Sequence, residues 1–177
     1  KEELIYTFNR TDRYLEERSV YQALTENNAR HSNRAALIQN GDRMSYGALF
    51  LRSSQFAAHL VSMNLKKDPL VAILLPRSFD LIAAMIGCME MGGVFMLLPE
   101  SLPDERIKNI LTQSGADALV TLSSKQYRLC GIDIPVMFTE DLEYRIPHYV
   151  VPAEDTDELP GDKLAYVVYT SGSTGEP

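Results

Sequence analysis

Short uninterrupted apolar runs alternate along this chain with longer stretches that are apolar on one face only. Residues 70–75 are all apolar and end at Pro76, the pattern of a strand covered on both faces in a parallel sheet. Residues 79–91 are apolar nearly all round, open at Ser78 and stop at Gly92-Gly93. At thirteen positions they fall short of the roughly 20 that span a bilayer, so they predict a buried crossover helix. Residues 94–98 predict the next strand. Pro103, Asp104 and Glu105 then open a helix with Ile107, Ile110 and Leu111 facing inward and Gly115 ending it. Residues 118–122, 136–138 and 164–169 predict further strands.

Upstream, Ser19 fits the cap of a helix with a thin stripe at Val20, Ala23, Leu24 and Asn27. Residues 35–39 and 43–44 flank Asn40-Gly41, the signal of a tight hairpin. Ser45 then caps a helix over residues 46–63. Its stripe is Tyr46, Leu49, Phe50, Phe56, Ala57 and Leu60, with Arg52, Gln55 and His59 on the other face, where His59 is expected to meet water. Strands alternating with helices predict an α/β fold, a mostly parallel sheet covered by helices, with no internal repeat. Residues 1–18, polar with only scattered apolar positions, predict a lead-in linker. Residues 147–161, rich in Pro, Asp and Glu, predict an exposed loop.

Composition narrows the function. The 177 residues, 45% of them apolar, are enough to bury a sizeable core without disulfide or metal staples. Cys88 and Cys130 lack paired spacing for zinc or redox work and fit a reducing cytoplasm. A net charge of -7 repels phosphate backbones and anionic headgroups, which argues against nucleic-acid and membrane partners. The first residues lack the basic and apolar regions of a signal peptide. The chain opens at Lys1 and stops inside a Gly-rich stretch, as expected of a piece of a longer polypeptide.

The dense functional signal is Thr170, Ser171, Gly172, Ser173, Thr174 and Gly175, directly after the strand at residues 164–169. Open α/β sheets bind ligands at the carboxyl ends of their strands. Four hydroxyls and two glycines in six residues give many donors and little bulk, so backbone N–H groups can fold around an anion while hydroxyls add to them. Each hydrogen bond to a charged oxygen contributes about 1.5–3 kcal/mol, enough in combination to hold a polyphosphate. Composition alone also fits a flexible linker, but linkers do not follow an apolar strand. A Walker loop requires Lys after its last Gly, where this chain has Glu176.

The segment LAYVVYTSGSTGEP, residues 164–177, resembles the phosphate-binding signature of adenylate-forming enzymes, and specifically of amino-acid adenylation domains in nonribosomal peptide synthetases. It fits the pattern LAYxxYTSGSTGxP at every fixed position. Residues 44–49, MSYGAL, resemble the family's early LTYxEL motif with Ala48 where Glu is usual. Residues 91–95, MGGVF, and 103–107, PDERI, are similar to its AGGAY and PxxRI segments. Between them Leu97 and Pro99 stand where the family has Pro and Asp, and Met91 replaces a small Ala. Phe8-Asn9-Arg10-Thr11, with Tyr14 beyond, resembles the linker into such a domain from an upstream condensation domain. By this resemblance residues 1–18 are that linker and residues 19–177 the N-terminal portion of an adenylation domain, ending just after the phosphate loop.

The resemblance implies a two-step reaction: a carboxylate attacks the α-phosphate of Mg-ATP to give an acyl-adenylate and pyrophosphate, then a carrier-domain phosphopantetheine thiol takes the acyl group. Thr170, Ser171, Gly172, Ser173, Thr174 and Gly175 would clasp the β- and γ-phosphates. The attacking carboxylate is already ionised near pH 7, so no general base is required. The family's catalytic Lys, its acidic Mg2+ ligand and its side-chain pocket would lie beyond Pro177, so this piece is expected to be inert alone. The implied partners are an amino-acid substrate, a carrier domain, an upstream condensation domain and a small MbtH-like helper protein. Two alternatives stay open: an acyl- or aryl-CoA ligase of the same superfamily, and a scaffold module whose chemistry has decayed, the latter motivated by Ala48, Leu97 and Pro99.

Other groups offer less. His31, His59 and His148 lack metal-ligand spacing. Glu154, Asp155, Asp157 and Glu158 lack the Gly and the ligand pattern of a calcium loop and predict a solvated acidic loop. Met85, Met89 and Met91 predict core filler.

Overall fold

Ser19 begins the folded part with a reciprocal cap. Its hydroxyl accepts from the Gln22 amide at 3.1 Å, while its own amide donates to the Gln22 side chain at 2.8 Å. The helix it starts, α1, covers Val20–His31. The computed structural model that shows this describes residues 18–142 and 163–169. The lead-in before Arg18 and the acidic loop with Glu154, Asp155, Asp157 and Glu158 lie outside them. The stripe predicted for α1 is rotated by one position. Val20 is 60% exposed and Asn27 is also exposed, whereas Tyr21 and Leu24 pack on the core. Tyr21 sets that face through its ring, 6.4 Å from the ring of Phe50.

Strands β1 (Ala35–Gln39) and β2 (Asp42–Ser45) form an antiparallel hairpin. Asn40 and Gly41 both take positive φ, 53° and 94°, the geometry whose twist matches a hairpin. Ser45 caps α2 (Tyr46–Ser62), accepting from the Ala48 amide at 3.2 Å. Five further strands make a parallel sheet: β3 (Leu70–Leu74), β4 (Val94–Leu97), β5 (Ala118–Thr121), β6 (Val136–Phe138) and β7 (Tyr166–Val167), in the order β6-β5-β3-β4-β7. Helix α3 (Phe79–Glu90) joins β3 to β4, and α4 (Asp104–Ser114) joins β4 to β5. Two 3-10 turns, Ser123–Leu129 and Thr139–Asp141, follow β5 and β6.

The alternation along β3 divides the core. Val71 and Ile73 face α2 and α3, while Ala72 and Leu74 face α4, and all four are fully buried. This is the sheet covered on both faces that the apolar run predicts. Met85, Met89 and Met91 pack at the edge of the first of these cores, as expected of filler. Helices α2 and α3 meet at Gly87, where an added Cβ would lie 2.7 Å from the Phe56 Cβ and 2.7 Å from the Ser53 carbonyl oxygen.

The polar face predicted for α2 is not open to water. Gln55 is 8% exposed, and Arg52 and His59 are half-buried. The amino end of α3 supplies the reason. Asp80 pairs with Arg52 in a two-pronged contact, Nε to Oδ1 at 2.8 Å and an Nη to Oδ2 at 3.0 Å, so the guanidinium lies between the helices and over the Phe56 ring.

Cys88 is buried and Cys130 exposed, and both are free thiols. Among the described residues no helix is long and apolar enough to cross a membrane.

Candidate functional site at the carboxyl ends of the strands

The connection leaving β3 runs to α3 on one face of the sheet, and the connection leaving adjacent β4 runs to α4 on the other. Where neighbouring strands send their chains to opposite faces, a crevice opens outside their carboxyl ends. Strand β7 borders this crevice. It lies parallel to β4, with Phe95 opposite Tyr166 and Met96 opposite Val167, so its carboxyl end emerges beside residues 98–101. Val167 and Tyr169 pack toward the α4 core, whereas Leu164, Tyr166 and Val168 are 56–62% exposed on the other side. Of the predicted strand at residues 164–169, only Tyr166–Val167 are assigned as strand.

Thr170, Ser171, Gly172, Ser173, Thr174 and Gly175 follow Tyr169 directly and lie outside the described residues. The chain enters this segment from the carboxyl end of β7. Their donor set, four hydroxyls plus backbone amides, fits phosphate oxygens. Among the described residues no group of three or more His, Cys, Asp or Glu is placed to hold a metal ion. His31 and His59 belong to no such group, and His148 is outside the described residues.

The other loops at this end of the sheet are held by side chains that sequence reasoning did not single out. Arg128, its side chain only 8% exposed, reaches from the 3-10 turn after β5 to the loop after β4. It donates to the Asp104 carboxylate and to the carbonyls of Glu100 and Leu102. Lys125 adds an ion pair to Glu100 at 3.1 Å. Glu140, after β6, accepts from the Ser123 amide at 3.1 Å and the Ser123 hydroxyl at 2.9 Å. Burial opposes its charge, but donation from its own amide, from Ser123 and from Thr139 outweighs that and holds its carboxyl below the usual glutamate value. Thr121 donates to the Leu74 carbonyl at 2.9 Å, and Gln39 donates to the Arg77 carbonyl at 2.6 Å. The exits of β3, β4, β5 and β6 are thus tied to one another or to a neighbouring element, forming a ledge along the carboxyl end of the sheet that reaches β7 at the loop after β4. Nothing in the spacing of Arg128 or Lys125 pairs them with residues 100–104, because the contact is made only by the fold.

The AMP-binding enzyme family matches residues 24–177, most of the chain. The chain belongs to the AMP-binding enzyme family. Its sequence is 32% identical over 170 residues to surfactin synthase subunit 1 of Bacillus subtilis (strain 168), covering 91% of this chain and 4% of that protein. It is 30% identical over 175 residues to bacitracin synthase 3 of Bacillus licheniformis, covering 98% of this chain and 3% of that one. Among solved structures, the Klebsiella oxytoca NpsA N-terminal subdomain in complex with 3-hydroxybenzoyl-AMSN superposes with a TM-score of 0.74. It is 28% identical, with 91% of this chain and 40% of that one covered. O-succinylbenzoate coenzyme A synthetase from Bacillus subtilis, in complex with AMP, shares the fold with a TM-score of 0.69 at 23% identity, over 90% of this chain and 40% of that one. The chain thus spans a few per cent of these synthases and under half of these structural relatives. The resemblance drawn from the signature, to the N-terminal part of a peptide-synthetase adenylation domain, agrees with the family and with both kinds of relative.

Proposed function

We propose that this chain is the phosphate-binding part of a peptide-synthetase adenylation domain, which activates an amino acid with ATP and passes it to the phosphopantetheine thiol of a carrier domain. The observation that carries the reading is the position of the signature: in a chain of the AMP-binding family, it leaves β7 at the carboxyl end of the sheet, beside the loops after β3 and β4. On this reading Thr170, Ser171, Ser173 and Thr174 donate from their hydroxyls, and Gly172 and Gly175 let backbone amides approach the β- and γ-phosphates. These donors stabilise charge as it builds on the departing pyrophosphate.

The choice of an amino acid as the acid rests on the named relatives, which are peptide synthases. Residues 1–18 act as the lead-in from a condensation domain and residues 19–177 as the N-terminal portion of the adenylation domain. The catalytic Lys and the Mg2+ ligand come from chain beyond Pro177, without which this piece is inactive, and an MbtH-like helper assists the domain. The protein works in the cytoplasm, where free Cys88 and Cys130 stay reduced.

The test is ATP/pyrophosphate exchange by the full-length protein, with its helper supplied, against amino acids, fatty acids and aryl acids, beside a Ser173→Ala, Thr174→Ala variant. Exchange with one amino acid, lost in the variant, is the expected result. Exchange only with a fatty or aryl acid moves the protein to the CoA-ligase branch. No exchange from a folded protein leaves the decayed scaffold.

A further inference from the structure

Glu90 ends α3 and is 7% exposed, buried where α3 crosses α2. A carboxylate there would face the carbonyl-rich end of its own helix, which disfavours negative charge. Its neighbours across the crossing are two adjacent serines of α2. The Ser54 hydroxyl lies 2.7 Å from Glu90 Oε1, and the Ser53 hydroxyl lies 3.2 Å from Glu90 Oε2. Ser53 Oγ is also 2.9 Å from the carbonyl of Phe50.

Counting protons favours a protonated acid. A hydroxyl has one proton to donate, and a backbone carbonyl can only accept. The shorter contact, to the Phe50 carbonyl, is the better place for the Ser53 proton. The Ser53 Oγ to Glu90 Oε2 contact then requires a proton on Oε2, while Ser54 donates to Oε1. With a neutral carboxylic acid every contact is satisfied. With a carboxylate, Ser53 must abandon either Phe50 or Glu90.

We propose that Glu90 is held as a neutral carboxylic acid in the folded protein, a single buried proton that joins α3 to α2 and makes their packing sensitive to pH. The close approach at Gly87, one helical turn before Glu90, prevents the helices from shifting together to fill the space a lost hydrogen bond leaves. Burial raises the Glu90 pKa from 4.5, outweighing the opposing pull of the hydrogen bond that Ser54 donates. Tyr21 of α1 faces the same cluster. Its phenol is pushed above its usual range, chiefly by burial. Helix α2 also carries Arg52, which pairs with Asp80 of α3, and His59. The joint sits two residues before Gly92-Gly93, from which β4 starts.

The sign follows from linkage. Between pH 4.5 and the raised value the folded state binds one proton more than the unfolded state, so this stabilisation is complete below 4.5 and is lost as pH rises through the folded value.

The test uses the full-length protein and needs no activity. The Glu90 carboxyl carbon is titrated by NMR in glutamate-labelled wild type, assigned by its absence from a Glu90→Gln variant. Hydrogen-exchange protection of the α3 amides is measured across the same pH range. Titration above 4.5 is expected. Wild-type protection should fall relative to Glu90→Gln by about tenfold per pH unit within the window, because the glutamine amide keeps both contacts without a titratable proton. If the variant does not fold, Ser53→Ala, which should move the titration, serves to assign the signal. A Glu90 carboxyl that titrates at or below 4.5, or protection ratios that do not change with pH, would overturn the proposal.

Discussion

The rings of Phe95 on β4 and Tyr166 on β7 stack with centroids 5.7 Å apart and planes inclined by 21°. This contact lies at the first of the two register positions that pair β7 with the sheet, and Tyr166 is still 56% exposed. Stacked aromatic pairs contribute about 0.5–1.5 kcal/mol beyond their area. Replacing Tyr166 with Ala is expected to speed hydrogen exchange at the Val167 amide by roughly three- to tenfold while leaving the amides of β3 unchanged. Equal effects on both strands would show that the ring supports the whole sheet and not the attachment of β7.

Arg128 is a second point of attachment. Removing it leaves the carbonyls of Glu100 and Leu102 and the Asp104 carboxylate without their donor. Arg128→Ala is expected to cost about 2–3 kcal/mol by urea denaturation. Lysine cannot reach three acceptors in one plane, so Arg128→Lys should recover less than half of the loss. Full recovery by Lys would mean that charge alone matters there.

Gly87→Ala sets two effects against each other. Alanine improves the helix by up to about 1 kcal/mol, but its methyl would stand 2.7 Å from backbone and side-chain atoms of α2. Overpacking costs of roughly 1–3 kcal/mol should win, lowering the melting temperature. Gly115→Ala, in the left-handed region at φ 64° with nothing within 4 Å, should also destabilise, by about 1–2 kcal/mol from backbone strain. A Gly87→Ala protein as stable as wild type would show that the helices can separate.

The two cysteines differ in reactivity. Burial pushes the Cys88 thiol up to about 12, so at pH 8 it is a thiol and out of reach. Maleimide is expected to label Cys130 alone in the native protein and both residues in urea, as counted by mass spectrometry. Native labelling of Cys88 would reveal opening of the α2–α3 layer.

The helix caps, the hairpin turn, the covered strands and the α3 crossover were legible in the sequence because each rests on local chemistry or on burial that needs apolar side chains. Ser19, Ser45 and Ser78 cap as their positions predict. Polar residues that are buried left no such trace. Arg52 and Gln55 read only as the polar face of α2, and Glu90 as one polar position in a buried helix, because a hydrophobic pattern cannot show that Asp80 or Ser53 will be waiting across the interface. The 3-10 turn at Ser123–Leu129 has no apolar period, and its shape goes with the contacts Arg128 makes 24 or more residues upstream. At the candidate site, order and residue type could be read along the chain. The ledge beside it could not, being assembled from four separate connections.

The pairing of β7 also bears on how the protein assembles. Phe95 is the register partner of Tyr166, roughly three times as far along the chain as the Val71 partner of the same Phe95, and closing the longer loop costs on the order of 0.6 kcal/mol more for each doubling. During synthesis β3, β4 and β5 can zip together while Tyr166 is still inside the ribosome. Because Tyr166 is made after these strands, β7 can join a sheet that is already partly formed, and slow translation just after β6 would give those strands time to pair first.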